Sequence, residues 1–242
     1  MYEYDAQFLG YGRLVATRSA QVIIPILMDA LRPSSVLDFG CGRGAWLEVW
    51  KNAGVSEVLG LDGDYVDRND LAVDLSEFSA QDLGSTIALG RQFDLVETLE
   101  VAEHLPEPRA RDFVADLCRH GDVVLFGAAP PGQGGEFHIN EQPYSYWRAL
   151  FAELGYEAFD FVRPRIAGRQ EVAPWYRYNT LLYVKRDHVD DLPDSVKHTH
   201  LPQGSAIRDV SPLLYKLRKS VVRQLPYWAT QALANAAKKT AK

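Results

Sequence analysis

The chain has 242 residues, 47% hydrophobic and 24% charged, the make-up of an ordinary globular protein with room for one α/β domain, a substantial core and extensions. Two cysteines, Cys41 and Cys118, exclude a disulfide framework and a paired-cysteine metal site, and they fit a reducing compartment. Of 26 basic residues, seven fall in 211–242 with no acid among them, so 1–210 carry 19 bases against 32 acids, a formal −13 that makes nucleic acid a poor partner.

The N-terminus, MYEYDAQFLG, lacks the basic-then-apolar pattern of a secretory signal, and a cytoplasmic location is expected. Residues 13–31 space Leu14, Val15, Val22, Ile23, Ile26, Leu27 and Leu31 as a helix, which Pro25 should kink or divide. Its most apolar part, Ala20 to Leu31, is interrupted by Gln21, Pro25 and Asp29, short of the roughly 18 residues that span a bilayer. Val36 to Phe39 reads as a short buried strand, followed by a glycine turn and a helix to about Asn52. Further strands are expected at Glu57–Leu61, Leu71–Val73, Phe93–Thr98 and Asp122–Phe126, with a helix from Pro108 to about Arg119.

Residues 128–141, AAPPGQGGEFHINE, are too rich in glycine and proline for regular structure. A helix should follow at Tyr144–Leu154. Tyr156–Val162 and Tyr178–Lys185 read as final strands of a hairpin-like antiparallel edge, with a long loop between them. The alternation implies an α/β, Rossmann-like, doubly wound sheet of seven strands, mostly parallel with an antiparallel last strand. One domain is expected over 1–185. Residues 186–242 then form a linker or arm and a basic amphipathic helix, broken at Pro226, that packs on the body, on a second subunit or on an anionic membrane surface. Apolar faces on the terminal helices leave room for a homodimer.

The stretch SVLDFGCGRGAW (35–46) carries the cofactor argument. Its glycines let backbone approach a ligand closely, and Gly40-x-Gly42-x-x-Ala45 also satisfies the dinucleotide fingerprint. Asp38 separates the two readings: an acid there suits the ammonium of a methionine and would repel a pyrophosphate. Asp62, ending the second strand, can accept both ribose hydroxyls. Asp74, with the backbone of Leu75, is placed to receive an adenine amino group. Cys41, Gly63 and Thr98 lie in the same turns and strand ends and complete the expected cofactor set. With these residues the stretch from about 30 to 185 resembles class I S-adenosylmethionine-dependent methyltransferases. That resemblance implies S-adenosylmethionine as cofactor, held by Asp38, Gly40, Gly42, Asp62 and Asp74.

After the fourth strand comes Thr98-Leu99-Glu100-Val101-Ala102-Glu103-His104. If it turns helically, Glu100, Glu103 and His104 share one face, either as a solvated helix start or as ligands of a divalent ion. His138 can converge on them from the shared edge of strand ends. The pattern resembles magnesium-dependent O-methyltransferases, a branch that includes small-RNA 2′-hydroxyl methyltransferases and an O-methyltransferase of ubiquinone synthesis. It implies Mg²⁺ or Mn²⁺ bound by Glu100, Glu103, His104 and His138, with His138 or His104 as catalytic base.

For the acceptor, Asn140, Glu141, Tyr144 and Trp147 are the expected contacts. Trp175, Tyr176, Tyr178, Arg163, Arg165 and Arg169 arrive from the later loop; half of the aromatics could equally be core. Rings interleaved with amides and acids suit a sugar. The segments APPGQGGEFHINEQPYSYW and RPRIAGRQEVAPWYRYNTLLYV resemble methyltransferases encoded with bacterial glycan-modifying enzymes, and are similar to sugar O-methyltransferases of mycobacterial methylmannose polysaccharide synthesis. That likeness implies a mannoside hydroxyl on a small-molecule or oligosaccharide acceptor. A phenol or quinone precursor, an RNA terminus, and a non-catalytic nucleotide-binding role are the competing readings.

Overall fold

The computed structural model describes residues 6–240. One eight-stranded sheet runs through it in the order β3-β2-β1-β4-β5-β7-β6-β8. The strands are β1 (Ser35–Phe39), β2 (Glu57–Asp62), β3 (Phe78–Ala80), β4 (Leu95–Leu99), β5 (Val123–Gly127), β6 (Tyr156–Phe159), β7 (Leu181–Lys185) and β8 (His200–Leu201). The first five are parallel, and the last three run antiparallel to their neighbours. The expected doubly wound, mostly parallel architecture stands, with one strand more than the seven expected.

Helix α1 (Ala6–Leu31) and α2 (Ala45–Asn52) cover one face, and α3 (Ala110–His120) and α4 (Tyr144–Glu153) the other. α1 is a single helix with Pro25 inside it, not two pieces. Ala20, Ile23, Ile24 and Leu27 are fully buried against α2 and the sheet, and that burial outweighs the hydrogen bond proline cannot donate. Arg13–Leu31 is long and apolar enough to cross a membrane by length and composition alone, contrary to the sequence expectation. In this fold its apolar stripe faces the core. On the opposite face Phe126, Trp147, Phe151 and Tyr183 pack together, the last two stacked at 3.9 Å.

Three elements depart from expectation. Leu71–Val73 is not a strand: Ala72 N–H donates to the Arg43 carbonyl and Val73 packs on Gly44, so the segment buttresses the glycine turn. The third strand forms seven residues later, paired with β2 from Gly60↔Phe78 to Asp62↔Ala80. Between β6 and β7 lie two short helices, α5 (Arg163–Ile166) and α6 (Pro174–Asn179), where a loop was expected. Residues 186–210 hold a short helix, α7 (Asp194–Lys197), and strand β8; Leu192 and Val196 enter the main core. The expected boundary at residue 185 therefore runs through packed structure. Beyond it, α8 (Leu213–Val222) and α9 (Tyr227–Thr240) break at Pro226 as expected.

Candidate functional site

The sheet order reverses between β1 and β4, and ligands of open α/β sheets bind in the crevice beyond such strand ends. At β1 the backbone passes into the glycine turn with Gly40 at φ +85°, a conformation costly for residues with a side chain. A Cβ on Gly40 would lie 2.3 Å from Val101 Cγ2, so both conformation and space require glycine there. Gly42, also at positive φ, has open space where a side chain would stand. Asp62 locks the turn: one carboxylate oxygen accepts from Gly42 N–H (2.6 Å), the other from Gly63 N–H (2.7 Å) and the Tyr65 hydroxyl. Cys41 is buried in the turn beside them.

Asp38 and Asp62 are joined by an acid the sequence did not single out. Glu97 on β4 stands in register with Asp38 on β1 and is fully buried. Its Oε2 accepts from Trp50 Nε1 (3.0 Å), while Oε1 has no partner. Burial pushes the Glu97 carboxyl up to about 8, against the pull of the Trp50 hydrogen bond. Asp38 is raised well above the carboxylate range by burial, then by the charges of Glu97 and Asp62. Among the described residues no basic side chain pairs with any of the three acids. Three buried carboxyls sharing one pocket suit a cationic ligand group.

This cluster has a measurable consequence for the ligand-free protein. A folded carboxyl raised from 4.5 to about 8 holds its proton when the unfolded chain has lost it. Stability is therefore complete below the unfolded value and is lost as pH rises through the folded one. Thermal unfolding is expected to fall by roughly 5–10 °C between about pH 5 and pH 8.5, and Glu97→Gln to remove a large part of that fall. A melting temperature flat across the window would show that Glu97 is ionised in the fold.

Other members of the expected cofactor set are not brought together. Asp74 starts a 3₁₀ turn at the surface, where Lys51, near the far end of α2, pairs with it at 3.1 Å. Its side chain is 78% exposed, and Leu75 is also exposed. Thr98 is fully buried and donates to the Phe39 carbonyl (2.9 Å), which ties β4 to β1 and leaves no hydroxyl for a ligand. The acid that follows the observed third strand is Asp82, whose carboxylate holds Gly84 N–H and the Ser85 hydroxyl. Gln81 N–H donates to the Asp62 carbonyl (2.7 Å), which brings that loop to the cofactor edge.

The second half of the site forms beyond β4 and β5. Glu100 has φ +60°, one of three non-glycine residues with positive φ among the described residues. Ala102–His104 is a 3₁₀ turn, so Glu100 does not share a helical face with Glu103 and His104. Glu103 and His104 do converge with His138: one ligand atom from each lies within 4.8 Å of the others. The His104 and His138 rings meet edge to face at 4.9 Å. The His138 loop is drawn in because Ile139 and Asn140 N–H groups both donate to the Glu103 carbonyl, at 2.9 and 3.0 Å.

Glu103 is fully buried with neither carboxylate oxygen in a well-aligned hydrogen bond, the Ala129 amide and the Glu100 carboxyl being its polar neighbours, and the buried His104 Nδ1 also lacks a partner. Burial raises Glu103 well above its ordinary value, and the Glu100 charge adds to that. Burial, then the neighbouring His138, lowers His104 to about 4, so its imidazole is neutral at physiological pH and a weak base. Buried polar atoms without partners are costly, and a cation among them would satisfy all three. Glu100 instead accepts from Gln133 and from Asn179 Nδ2 (3.0 Å), and burial raises it too.

Glu141, expected to meet the acceptor, is spent on the loop. It accepts from Gly132 N–H and Gly134 N–H at 2.7 Å each, and its Oε1 sits 2.9 Å from His138 Nδ1. This fixes the ring and leaves Nε2 as its free nitrogen. Tyr144 is buried with its hydroxyl held by Asn179 Oδ1 (3.0 Å), and Trp147 is 1% exposed beneath Phe126. Both are core, not acceptor contacts. Asn140 remains a candidate: its Oδ1 accepts from Gln142, but its buried Nδ2 has no partner.

Comparison with known proteins gives this arrangement its family. A family model described as a methyltransferase domain matches residues 11–160. The ubiquinone biosynthesis O-methyltransferase of Pseudomonas paraeruginosa is 29% identical over 181 residues, 71% of this chain and 71% of that protein. Among solved structures, the sugar N-methyltransferase KedS8 from Streptoalloteichus superposes with a TM-score of 0.57 at 17% identity, covering 76% of this chain and 92% of that one. The amino pentose methyltransferase CalS10 from Micromonospora echinaspora, solved with its cofactor bound, gives 0.53 at 18% identity over 76% and 98%. With a matching family model over most of its length and the class I sheet beneath it, the chain belongs to the S-adenosylmethionine-dependent methyltransferases.

Proposed function

We propose that the protein is an O-methyltransferase that transfers the cofactor's methyl group to a sugar hydroxyl with the help of a divalent cation. The observation that carries this reading is Glu103, buried without a well-aligned hydrogen bond to either carboxylate oxygen and converging with His104 and His138 at the strand edge that also holds the glycine turn. Glu103, His104 and His138 would hold the ion, Mg²⁺ or Mn²⁺, with the Glu100 carboxyl beside Glu103. A bound ion of this kind lowers the pKa of a nearby hydroxyl and orients it.

The chain's own residues supply the rest. Asp38, Glu97 and Asp62 bind the cationic and ribose ends of S-adenosylmethionine, and the loop at Gln81–Leu83 takes the adenine edge. The acceptor oxygen attacks the sulfonium methyl in line: an O–C bond forms, the S–C bond breaks, and S-adenosylhomocysteine leaves. With the ion bound, His138 Nε2 would be one of its ligands and the hydroxyl proton would pass to water; with no ion, Nε2, the nitrogen that Glu141 leaves free, receives that proton. Asn140 Nδ2 is available to an acceptor oxygen. The amides of Gln133 and Asn179 on Glu100, with that of Asn140 on the His138 loop, make this edge polar and favour a polyhydroxylated acceptor over a greasy one.

Exhaustive removal of metal is expected to lower methyl transfer roughly 100-fold, with Mn²⁺ or Mg²⁺ restoring it. Undiminished turnover in protein shown to be metal-free would remove the ion and leave His138 acting alone. A second reading, an acceptor of the ubiquinone pathway, is favoured by the curated relatives' names. Labelled methyl transfer to a panel of sugars and phenols distinguishes the two by which class is turned over.

A further inference from the structure

The C-terminal helices carry two apolar faces, and the fold uses one. On α8, Tyr215, Lys219 and Val222 turn inward: Lys219 is buried against Asp209 (2.6 Å), and Val222 packs beside Gly134. At 100° per residue, Leu213, Leu214, Leu217 and Val221 fall within an arc of about 100° on the outer side. All four are exposed, Leu214 by 81%. α9 continues the pattern with Tyr227, Trp228 (74% exposed) and Leu233. Seven of the thirteen large apolar residues exposed among the described residues lie between 213 and 233.

Charge identifies the occupant. Lys216 and Arg223 flank the stripe, and residues 211–242 contain seven bases and no acid on a body at −13; of those bases, Lys219 is spent on Asp209 and Arg218 holds the Gln133 carbonyl. A second copy placing its own stripe here would bring basic flank against basic flank. Among the described residues, the exposed apolar side chains of the body, such as Leu14, Tyr65 and Leu154, come singly from separate segments and offer no matching patch. An anionic bilayer surface matches both features, since acyl chains accept the leucines, headgroups attract the bases, and tryptophan and tyrosine favour the boundary between them.

We propose that α8 and α9 form an interfacial arm that docks the protein on anionic lipid bilayers through Leu213, Leu214, Leu217, Val221 and Trp228. The inner side of the arm rests on the His138 loop. Arg218 Nη1 donates to the Gln133 carbonyl (2.7 Å), Gln231 Oε1 accepts from Phe137 N–H (3.1 Å), and Gln231 Nε2 donates to the Gly135 carbonyl (3.3 Å). Docking would thus set the acceptor edge of the site at the membrane surface.

Co-sedimentation of the full chain with vesicles tests this. Binding to vesicles of equal parts phosphatidylglycerol and phosphatidylcholine should exceed binding to phosphatidylcholine alone by roughly tenfold or more, and high salt should weaken it. The double variant Leu214→Glu, Leu217→Glu should lose that binding while its S-adenosylmethionine affinity stays at the wild-type value, which certifies the fold. Wild type that ignores both vesicles, or sediments equally with both, overturns the proposal. So does a wild-type dimer that Leu217→Glu converts to monomer with no vesicle binding by either, an outcome that assigns the stripe to a second copy.

Discussion

Replacing His138 with alanine is expected to slow methyl transfer by roughly 1,000-fold, the range of a lost metal ligand or general base, with the affinity for S-adenosylmethionine changed by no more than about twofold. The two readouts separate because His138 stands on the β5 loop, while the groups proposed to hold the cofactor stand on β1, β2 and β4. Single-turnover transfer measures the first and calorimetric titration the second. Glu141→Gln keeps the size of the side chain but removes the charge facing His138 Nδ1, and should cost roughly tenfold to 100-fold. A His138→Ala rate within about threefold of wild type would take His138 out of the reaction, as ligand and as base.

Asp62→Ala is expected to weaken S-adenosylmethionine roughly 1,000-fold, since in the proposed site it would accept two charge-assisted hydrogen bonds from ribose, each worth about 1.5–3 kcal/mol. The same carboxylate also bridges Gly42 and Gly63 N–H groups, so its loss frees the glycine turn. Asp62→Asn retains an acceptor oxygen and should fall between the two. Calorimetric titration with cofactor checks the series, with urea unfolding run alongside to confirm folded protein. An affinity within about threefold of wild type would remove Asp62 from the ribose site.

The central strands were readable because parallel strands covered on both faces are continuous apolar runs, as in Val36-Leu37 and Val123–Phe126. The glycine turn was readable because its conformations demand glycine. The edge strands were not: Phe78–Ala80 and His200–Leu201 are three and two residues long, with no period to detect. The misplaced third strand carried the adenine assignment with it to Asp74.

Within the site, Glu103, His104 and His138 were legible as residue types, but the left-handed turn at Glu100 was not, and it breaks the helical spacing assumed for Glu100, Glu103 and His104. Glu97 was hidden inside an apolar strand, and only its register opposite Asp38 reveals it. Tyr144 and Trp147 show the converse: aromatic residues after a loop look alike in sequence whether they face ligand or core, and here burial assigns them to core. Glu141 could not be recognised as the clamp of its own loop without the backbone amides it binds.

The two-residue strand β8 protects more than its length suggests. It covers the open side of β6, from Phe159↔His200 to Ala158↔Leu201, and Thr199 accepts from Asp160 N–H just beyond. A chain ended at residue 185 would bare that backbone and empty the sockets of Leu192 and Val196. An unpaired strand beside apolar surface is a template for another molecule's strand. Such a shortened protein should come out of cells as aggregate, even though every residue expected to touch the cofactor is still present.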